Sequence, residues 1–442
     1  MITESAREST IYALSSGSGR AGIAVIRLSG PASGQVLEAM AGGVPEPRAA
    51  SLRKLKSADG QIIDEAMILW FPGPHSATGE DVAELHVHGA PSVIELMFSE
   101  LSNIEGLRLA ESGEFTRRAF ANGKMDLVEV EGLADLLAAS GEVQRRLAMR
   151  QFLGEASGTY EGWRRDVIAA LALHEAAIDF VEEDDVADKA RDMAGPIIAR
   201  LVKELEAALA TSSQNAALRD GLKVVIAGAP NVGKSSLLNA LARREAAIVS
   251  EIAGTTRDIV EAQVMFEGLP LTLADTAGIR GATEDRIEQI GIERAHAAAA
   301  EADILIWVTA PDVSSPSHPP RKPDIEVLNK ADLDSIHVRN DAALPVSTKT
   351  GAGLDALRVA LHTEVLRRTD GVEHAIVVRQ RHADAVAQSI RLLNNVVTLP
   401  NRPHELIAED LRKAARALGS ITGHVDVEDL LGKIFSEFCI GK

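Results

Sequence analysis

Residues 223–236 read KVVIAGAPNVGKSS. An apolar, β-branched stretch leads into a loop bounded by Gly228 and Gly233. Lys234, Ser235 and Ser236 follow and open LLNALA, which has helical spacing. This order constrains the fold more than any other feature of the chain. Glycines at those positions let the backbone bend so that its N–H groups face anionic oxygens, and the helix N-terminus adds partial positive charge. A strand, a G-x-x-x-x-G-K-[ST] loop and a helix in that order make a phosphate-binding loop of an α/β domain. Lys234 is expected to reach the β- and γ-phosphates, and Ser235 to ligate Mg²⁺. The bland alternative is a chance glycine-rich turn.

The stretch that follows carries the other pieces such a site needs. LTLADTAG (271–278) reads as a strand ending at Asp275, placed to hold Mg²⁺ through water. Thr276, Ala277 and Gly278 follow, with Gly278 free to turn its N–H toward the γ-phosphate. VLNKAD (327–332) reads as a strand followed by Asn329, Lys330, Ala331 and Asp332. A carboxylate at Asp332 can accept from both guanine N1–H and the N2 amino group. Adenine offers no such pair, so this piece selects GTP over ATP. VSTKTG (346–351), with Ser347, Thr348 and Lys349, stands at the spacing of a loop that meets the guanine O6. GTTRD (254–258) lies between the first two pieces and puts Thr256 in position as a second Mg²⁺ ligand. Together these motifs specify a GTPase. One departure matters. Ras-like GTPases orient the attacking water with a glutamine just after DTAG. Here that position is Ile279, so another group must hold the water and another positive charge must replace an arginine finger.

At 442 residues the chain is too long for one small core, and its texture changes along its length. Residues 1–122 read as mixed α/β, with strands at 22–30, 67–72 and 81–89 and a helix opening at Pro91. Residues 123–215 are rich in Ala, Leu, Glu and Arg at helical spacing, interrupted by proline only at Pro196. Residues 216–378 hold the GTPase pattern, with a proline-rich surface loop at 311–324, and 379–442 are helical again. The economical arrangement is a helical domain built from two segments with the GTPase domain inserted between them.

Charge narrows the choice of partners. Lys and Arg number 46 against 64 Asp and Glu, a net of −18, which argues against a broad nonspecific grip on nucleic acid. No run approaches the ~18 apolar residues of a membrane span. The opening MITESAREST has neither a signal-peptide core nor an Arg-rich transit pattern. A cytoplasmic setting without a membrane is the expectation. Cys439, the lone cysteine, lies in the terminal FCIGK. It reads as a small buried hydrophobe or as a reactive group, and composition does not decide between them. His86 and His88 share one face of a strand without a third ligand at metal spacing, and read as structural or loop-organising.

RAGIAVIRLSG, TGEDVAELHVHGAP, FTRRAFANGKMDL, NVGKSS, IAGTTRD, IEQIGIERA and the terminal CIGK occur in this order over nearly the whole chain. In this the sequence resembles the MnmE (TrmE) family of tRNA-modifying GTPases. The resemblance implies a folate-binding and dimerising α/β domain, a two-segment helical domain and an inserted GTPase domain. It also implies a homodimer whose GTPase domains meet face to face around a potassium ion, which replaces the arginine finger. The ion's ligands correspond to Asn231 and, within Ser250, Glu251, Ile252, Ala253, Gly254, Thr255 and Thr256, to Ser250, Ile252 and Thr255. Asn231 read alone is an ordinary turn residue. The water-orienting residue corresponds to Glu288, which read alone is an exposed helix glutamate.

A tetrahydrofolate one-carbon donor is implied at Arg27, Glu84, Lys124 and Lys442, with Cys439 a candidate participant in transfer. The implied reaction installs an aminomethyl-type group at C5 of the wobble uridine of certain tRNAs. The implied partner is a flavin-dependent enzyme (MnmG, also called GidA), in a heterotetramer. SATGEDV, HGA and SGSGRAG depart from the family's usual loop sequences around the folate. A noncatalytic GTP-dependent switch in ribosome assembly is the rival reading. The acidic balance and VEEDD (181–185) disfavour it.

Overall fold

The computed structural model describes residues 9–180, 186–244, 260–266, 268–275, 296–313, 318–333, 343–369, 375–399, 402–425, 428–436, 438, 440 and 441. Contacts group the chain into two compact units. One holds residues 1–134, 151–175 and 405–442, and the other holds 135–150 and 176–404.

In the first unit, β1 (Thr10–Leu14), β2 (Ala21–Ser29), α1 (Ser33–Ala41), β3 (Ser51–Lys56), β4 (Ile62–Phe71), β5 (Val82–Gly89), α2 (Pro91–Ser102), β6 (Leu107–Leu109) and α3 (Glu114–Ala121) follow in order. The sheet order is β3-β4-β5-β2-β1-β6, antiparallel except for the parallel β1–β6 pair. Strand alternation sorts the side chains. On β5, Ala83, Leu85 and Val87 go into a core with Ile26, Leu28, Leu37, Ile68, Met97 and Leu101. Glu84, His86 and His88 take the other face. Pro91 at the first turn starts α2, where its missing N–H costs nothing.

Arg118 is 1% exposed and so is Glu114, an arrangement tolerable only because the charges are paired and hydrogen-bonded. Arg118 bridges Glu114 (Nη2 to Oε1, 3.1 Å) and Glu80 (Nη1 to Oε2, 3.0 Å), and it donates to the carbonyl of Ser9 (3.0 Å). Burial of Glu114 favours its neutral form. Hydrogen bonds from Arg108, the Glu111 backbone and Arg118 outweigh that and hold its pKa at about 2.

Helices α4 (Leu127–Ala138), α5 (Glu142–Phe152), α6 (Glu155–Asp179), α7 (Val186–Ala210) and α8 (Ser212–Asp220) match the helical texture, and α7 runs through Pro196 without ending. They divide between the units. The segment 135–150, which includes most of α5, falls with the GTPase strands, and 151–175 falls with the N-terminal sheet.

The second unit's sheet consists of β7 (Leu222–Gly228), β8 (Val260–Phe266), β9 (Leu269–Asp275), β10 (Ile304–Thr309), β11 (Ile325–Leu328) and β12 (Leu344–Pro345), with α9 (Lys234–Arg244) after β7 and α10 (Leu354–Thr369) after β12. The order is β12-β11-β10-β7-β9-β8, parallel except for the β8–β9 hairpin. Both faces of β7 are covered. Val224 and Ile226 pack with Leu237, Leu271 and Leu357, while Val225 and Ala227 pack with Leu305 and Trp307. The chain leaves β7 toward β9 and returns to β10 on the other side. The loop after β7 therefore lies at the topological switch point, where open α/β sheets bind ligands.

Helices α11 (Gln380–Thr398), α12 (His404–Thr422) and α13 (Glu428–Ser436) close the chain. Each of the first two buries one stripe, for example Ala383, Val386, Leu393 and Val396 on α11 and Ile407, Leu411, Ala414, Leu418 and Ile421 on α12.

Candidate functional site

The loop between β7 and α9 is held by close backbone approaches. A Cβ on Gly228 would lie 2.1 Å from the carbonyl oxygen of Val308, and one on Gly233 would lie 2.3 Å from Nδ2 of Asn329. Gly228 (φ 152°), Asn231 (φ 63°) and Gly233 (φ 93°) all have positive φ. Asn is among the few side chains that tolerate this at Asn231, which leaves both its turn role and its oxygen-donor role open. Lys234 is 5% exposed, and its Nζ donates to the carbonyls of Gly228 (3.0 Å) and Ala229 (2.9 Å). Val232 is buried, while Ser235 and Ser236 stand exposed in the first turn of α9.

The base-reading pieces come from the ends of β11 and β12 and are joined to this loop. Asn329 is fully buried. It donates through Nδ2 to the Val232 carbonyl (2.8 Å) and accepts from the Thr348 N–H (3.4 Å). One amide thus clamps the phosphate loop to both base loops, and Gly233 leaves room for it. Asp332 accepts from Ser347 Oγ (2.6 Å), and its other oxygen lies 4.0 Å from Lys349 Nζ. The hydrogen bond from Ser347 holds the Asp332 carboxyl below its ordinary range. Ser347 Oγ in turn accepts from the Thr350 N–H (3.2 Å). The Ala331 N–H donates to the Val346 carbonyl (3.1 Å), which locks the two base loops together. Lys330 pairs with Asp312 (2.6 Å), a contact no motif announced.

Asp275 ends β9 in register with Ile226 of β7, one strand from the phosphate loop. Its side chain lies outside the described residues, as do Ser250, Glu251, Ile252, Ala253, Gly254, Thr255, Thr256, Thr276, Ala277, Gly278, Glu288, Cys439 and Lys442.

In the first unit, strand register brings together two of the charges expected at the folate site. Arg27 on β2 lies opposite Glu84 on β5, with Nε and Nη2 at 3.0 and 2.8 Å from Oε1. His86, two residues along the same face, has Nε2 3.1 Å from Glu84 Oε2. Burial opposes the Glu84 charge, yet the hydrogen bond from His86 and the charge of Arg27 bring its pKa below the ordinary value. The Arg27 guanidinium also lies 5.9 Å from the centre of the Phe115 ring.

Lys124 is exposed. Its stem sits beside Gly79, where a Cβ would meet Cε at 3.3 Å, and no described hydrogen bond or ion pair joins it to Arg27 or Glu84. Sequence reasoning assigned His86 a structural or organising part and did not pair it with Glu84. Their two-residue spacing on a strand was the available signal. His88 does organise structure: its N–H and Nδ1 bind Asp64 at 2.7 and 2.8 Å.

The end of the chain reaches this region. Ile440 forms a β-bridge with Ser112, and the Gly441 carbonyl accepts from Ser15 Oγ (2.9 Å). Gly441 lies so close to β1 that a Cβ would be 2.2 Å from the Leu14 carbonyl oxygen. Leu14 pairs with Ile26, the neighbour of Arg27.

A family model described as GTP-binding protein TrmE N-terminus matches residues 10–124, and one described as the MnmE helical domain matches 127–439. Over 438 residues the chain is 47% identical to the tRNA modification GTPase MnmE of Rhizobium johnstonii, covering 98% of this chain and 99% of that one. Against the protein of the same name from Rhizobium etli it is 48% identical, with the same coverage. Against that of Parvibaculum lavamentivorans it is 48% identical over 440 residues, covering 98% of this chain and 100% of the other. The chain belongs to the MnmE family of tRNA modification GTPases.

Proposed function

We propose that this chain is a potassium-activated GTP hydrolase that, with a flavin-dependent partner, installs an aminomethyl-type group at C5 of the wobble uridine of certain tRNAs. That it is a GTP hydrolase acting in tRNA modification follows from family membership. The observation that carries the nucleotide reading is the clamp at Asn329. It joins the phosphate loop to the loop that carries Asp332, a carboxylate bound by Ser347 and suited to accept from the two donors that guanine offers. When GTP enters, Lys234 would exchange its two carbonyl partners for phosphate oxygens. The N–H groups at the start of α9 would take part of the negative charge.

The donor set fits the ions the reaction calls for. Hydroxyl and carboxylate oxygens at Ser235, Thr256 and Asp275 suit Mg²⁺. The side-chain carbonyl of Asn231, with oxygens of Ser250, Ile252 and Thr255, would suit K⁺. A potassium ion held there would supply the positive charge beside the phosphates that the chain's own motifs, with Ile279 after DTAG, do not. Glu288 would orient the attacking water.

The one-carbon donor, a tetrahydrofolate, would lie against Arg27 and Glu84. Glu84 is ready to accept from a pterin N–H edge and Arg27 to meet a carboxylate. The bridge from Ile440 to Ser112 and the bond from Ser15 to Gly441, next to β1, support a place for Cys439 and Lys442 near Arg27 and Glu84, and Lys124 would contribute from the loop beside Gly79. Limits of 1–122, 123–215, 216–378 and 379–442 for the domains, a homodimer through the N-terminal domains, assembly with the flavoenzyme into a heterotetramer, tRNA binding and a cytoplasmic setting belong to the same reading.

Its test is GTP turnover by the purified full chain in KCl against NaCl. Turnover rises by about tenfold or more in potassium, on the scale of adding one well-placed positive charge at a phosphoryl group. Equal rates in the two salts refute the potassium role and leave the GTP site standing.

A further inference from the structure

The β8–β9 hairpin lies between the nucleotide motifs and the start of α5. Its open end, Val260 paired with Asp275, adjoins the stretches that carry Thr256 and Gly278 in the sequence. Its closed end, at Gly268, is seated on the start of α5. A Cβ on Gly141 would lie 2.1 Å from the Gly268 carbonyl oxygen and 3.0 Å from Met265 Cε, so a bare glycine is required there. The Val143 N–H points to the same carbonyl at 3.5 Å. Leu147, one turn further, is buried in one core with Phe266, Leu269 and Leu271, and Val143 packs on that core. Gly221 closes the seat from below, where a Cβ would be 2.7 Å from the Pro270 carbonyl.

On another side α5 meets empty space. A cavity of about 210 Å³ is lined by Ala138, Ala139, Leu147, Ala148 and a polar rim of Asp135 and Arg219. The rim is tied down: Arg379 binds Asp135 at 2.6 Å, and Gln144 Nε2 donates to the Arg219 carbonyl at 2.7 Å. The start of α5 thus has dense packing where the hairpin would push it and free volume beside it. Close-packed contacts transmit displacement rather than absorb it, and helices at such seats shift by small rigid translations. The helix ends at Phe152, where a Cβ on Gly132 of α4 would lie 2.5 Å from the Phe152 nitrogen. A shift of α5 therefore cannot be lost in loose packing at its far end.

We propose that α5 is the read-out element of the nucleotide site: the β8–β9 hairpin carries the state of the γ-phosphate to Gly268, and the Gly268–Gly141 contact passes it into α5, which moves into the adjoining cavity. This inference rests on the GTP-site reading above.

Hydrogen–deuterium exchange of the full chain, nucleotide-free, with GDP, and with a non-hydrolysable GTP analogue, tests both separately. Slower exchange at residues 228–236 on adding either nucleotide reports the site itself. The proposal requires in addition that amides 141–148 differ between GDP and the analogue, by about tenfold for a typical coupling between sites. A response at 228–236 with identical exchange at 141–148 in both nucleotides overturns it. A lack of response at 228–236 overturns the GTP-site reading and the proposal with it. As a second readout, Gly141→Ala is expected to keep GTP turnover within about twofold while wobble-uridine modification in cells falls about tenfold. Undiminished modification, or turnover falling in parallel with modification, counts against the proposal.

Discussion

The guanine-nucleotide site and the Arg27–Glu84 site are built in opposite ways. The first is assembled from short contiguous runs at the ends of parallel strands, and backbone groups do much of its work: the turns at Gly228 and Gly233, the carbonyls that hold Lys234, and the N–H groups of α9. The second is assembled from single side chains on separate elements, brought together by antiparallel register: Arg27 from β2, Glu84 and His86 from β5 and Phe115 from α3. A phosphate chain is recognised by a loop, and a loop leaves its pattern in the sequence. An organic ring with one polar edge is recognised by a few charges, and such charges look like any others until the sheet pairs them.

The largest expected effect lies in the first site. Asp332→Asn should lower GTP affinity by about 10⁴-fold and improve binding of xanthosine triphosphate, whose base offers an acceptor where guanine has its amino group. Titration calorimetry with both nucleotides checks it, and undiminished GTP binding would remove the base-reading role of Asp332.

Next is acid stability in the N-terminal sheet. Glu114 has a folded pKa of about 2 against an ordinary 4.5, so it contributes stability that is present above pH 4.5 and lost as pH falls from there toward 2. Glu114→Gln should cost about 3 kcal/mol at neutral pH and flatten the acid limb of the stability curve below pH 4.5. Urea unfolding at pH 7 and pH 3 decides it: a loss of stability equal at both pH values would show that the Glu114 charge is not what holds the cluster.

Arg27→Ala should weaken tetrahydrofolate binding by about 30-fold, the worth of one charge-assisted hydrogen bond, with GTP turnover unchanged. If folate binding persists, the register-built pair is structural and the contrast between the sites collapses.

The smallest effect is expected at Asn215, a buried residue whose Nδ2 donates to the Val377 carbonyl (3.0 Å) and so ties together the chain segments entering and leaving the GTPase strands. Asn215→Ala should cost about 1–2 kcal/mol of stability with GTP affinity retained. A loss of GTP affinity would show that the nucleotide site depends on structure well beyond its own loops.

Much of the architecture was legible in advance. The strands around 22–30, 67–72 and 81–89, the helix at Pro91 and the strand–loop–helix at 222–244 carry their periodicity and punctuation locally. What failed to show is instructive. Residues 142–152 read as one more helix of a bundle, yet Leu147 packs in the GTPase core. An apolar stripe says that a face is buried, not against what. Asp312 and Lys330 lie far apart in a sequence that pairs neither, and Arg118 in FTRRAF looks like a surface charge until Glu80 and Glu114 enclose it.

By itself, the sequence determined the nucleotide site's parts and the order of α/β and helical segments, because backbone turns, glycines and helical spacing are short-range matters. Only the tertiary structure decided which distant groups meet: Asn329 on the phosphate loop, Arg27 on Glu84, and Gly141 on the hairpin tip. Those contacts depend on strand register and on close packing between segments about 60 to 130 residues apart, and no local rule encodes either.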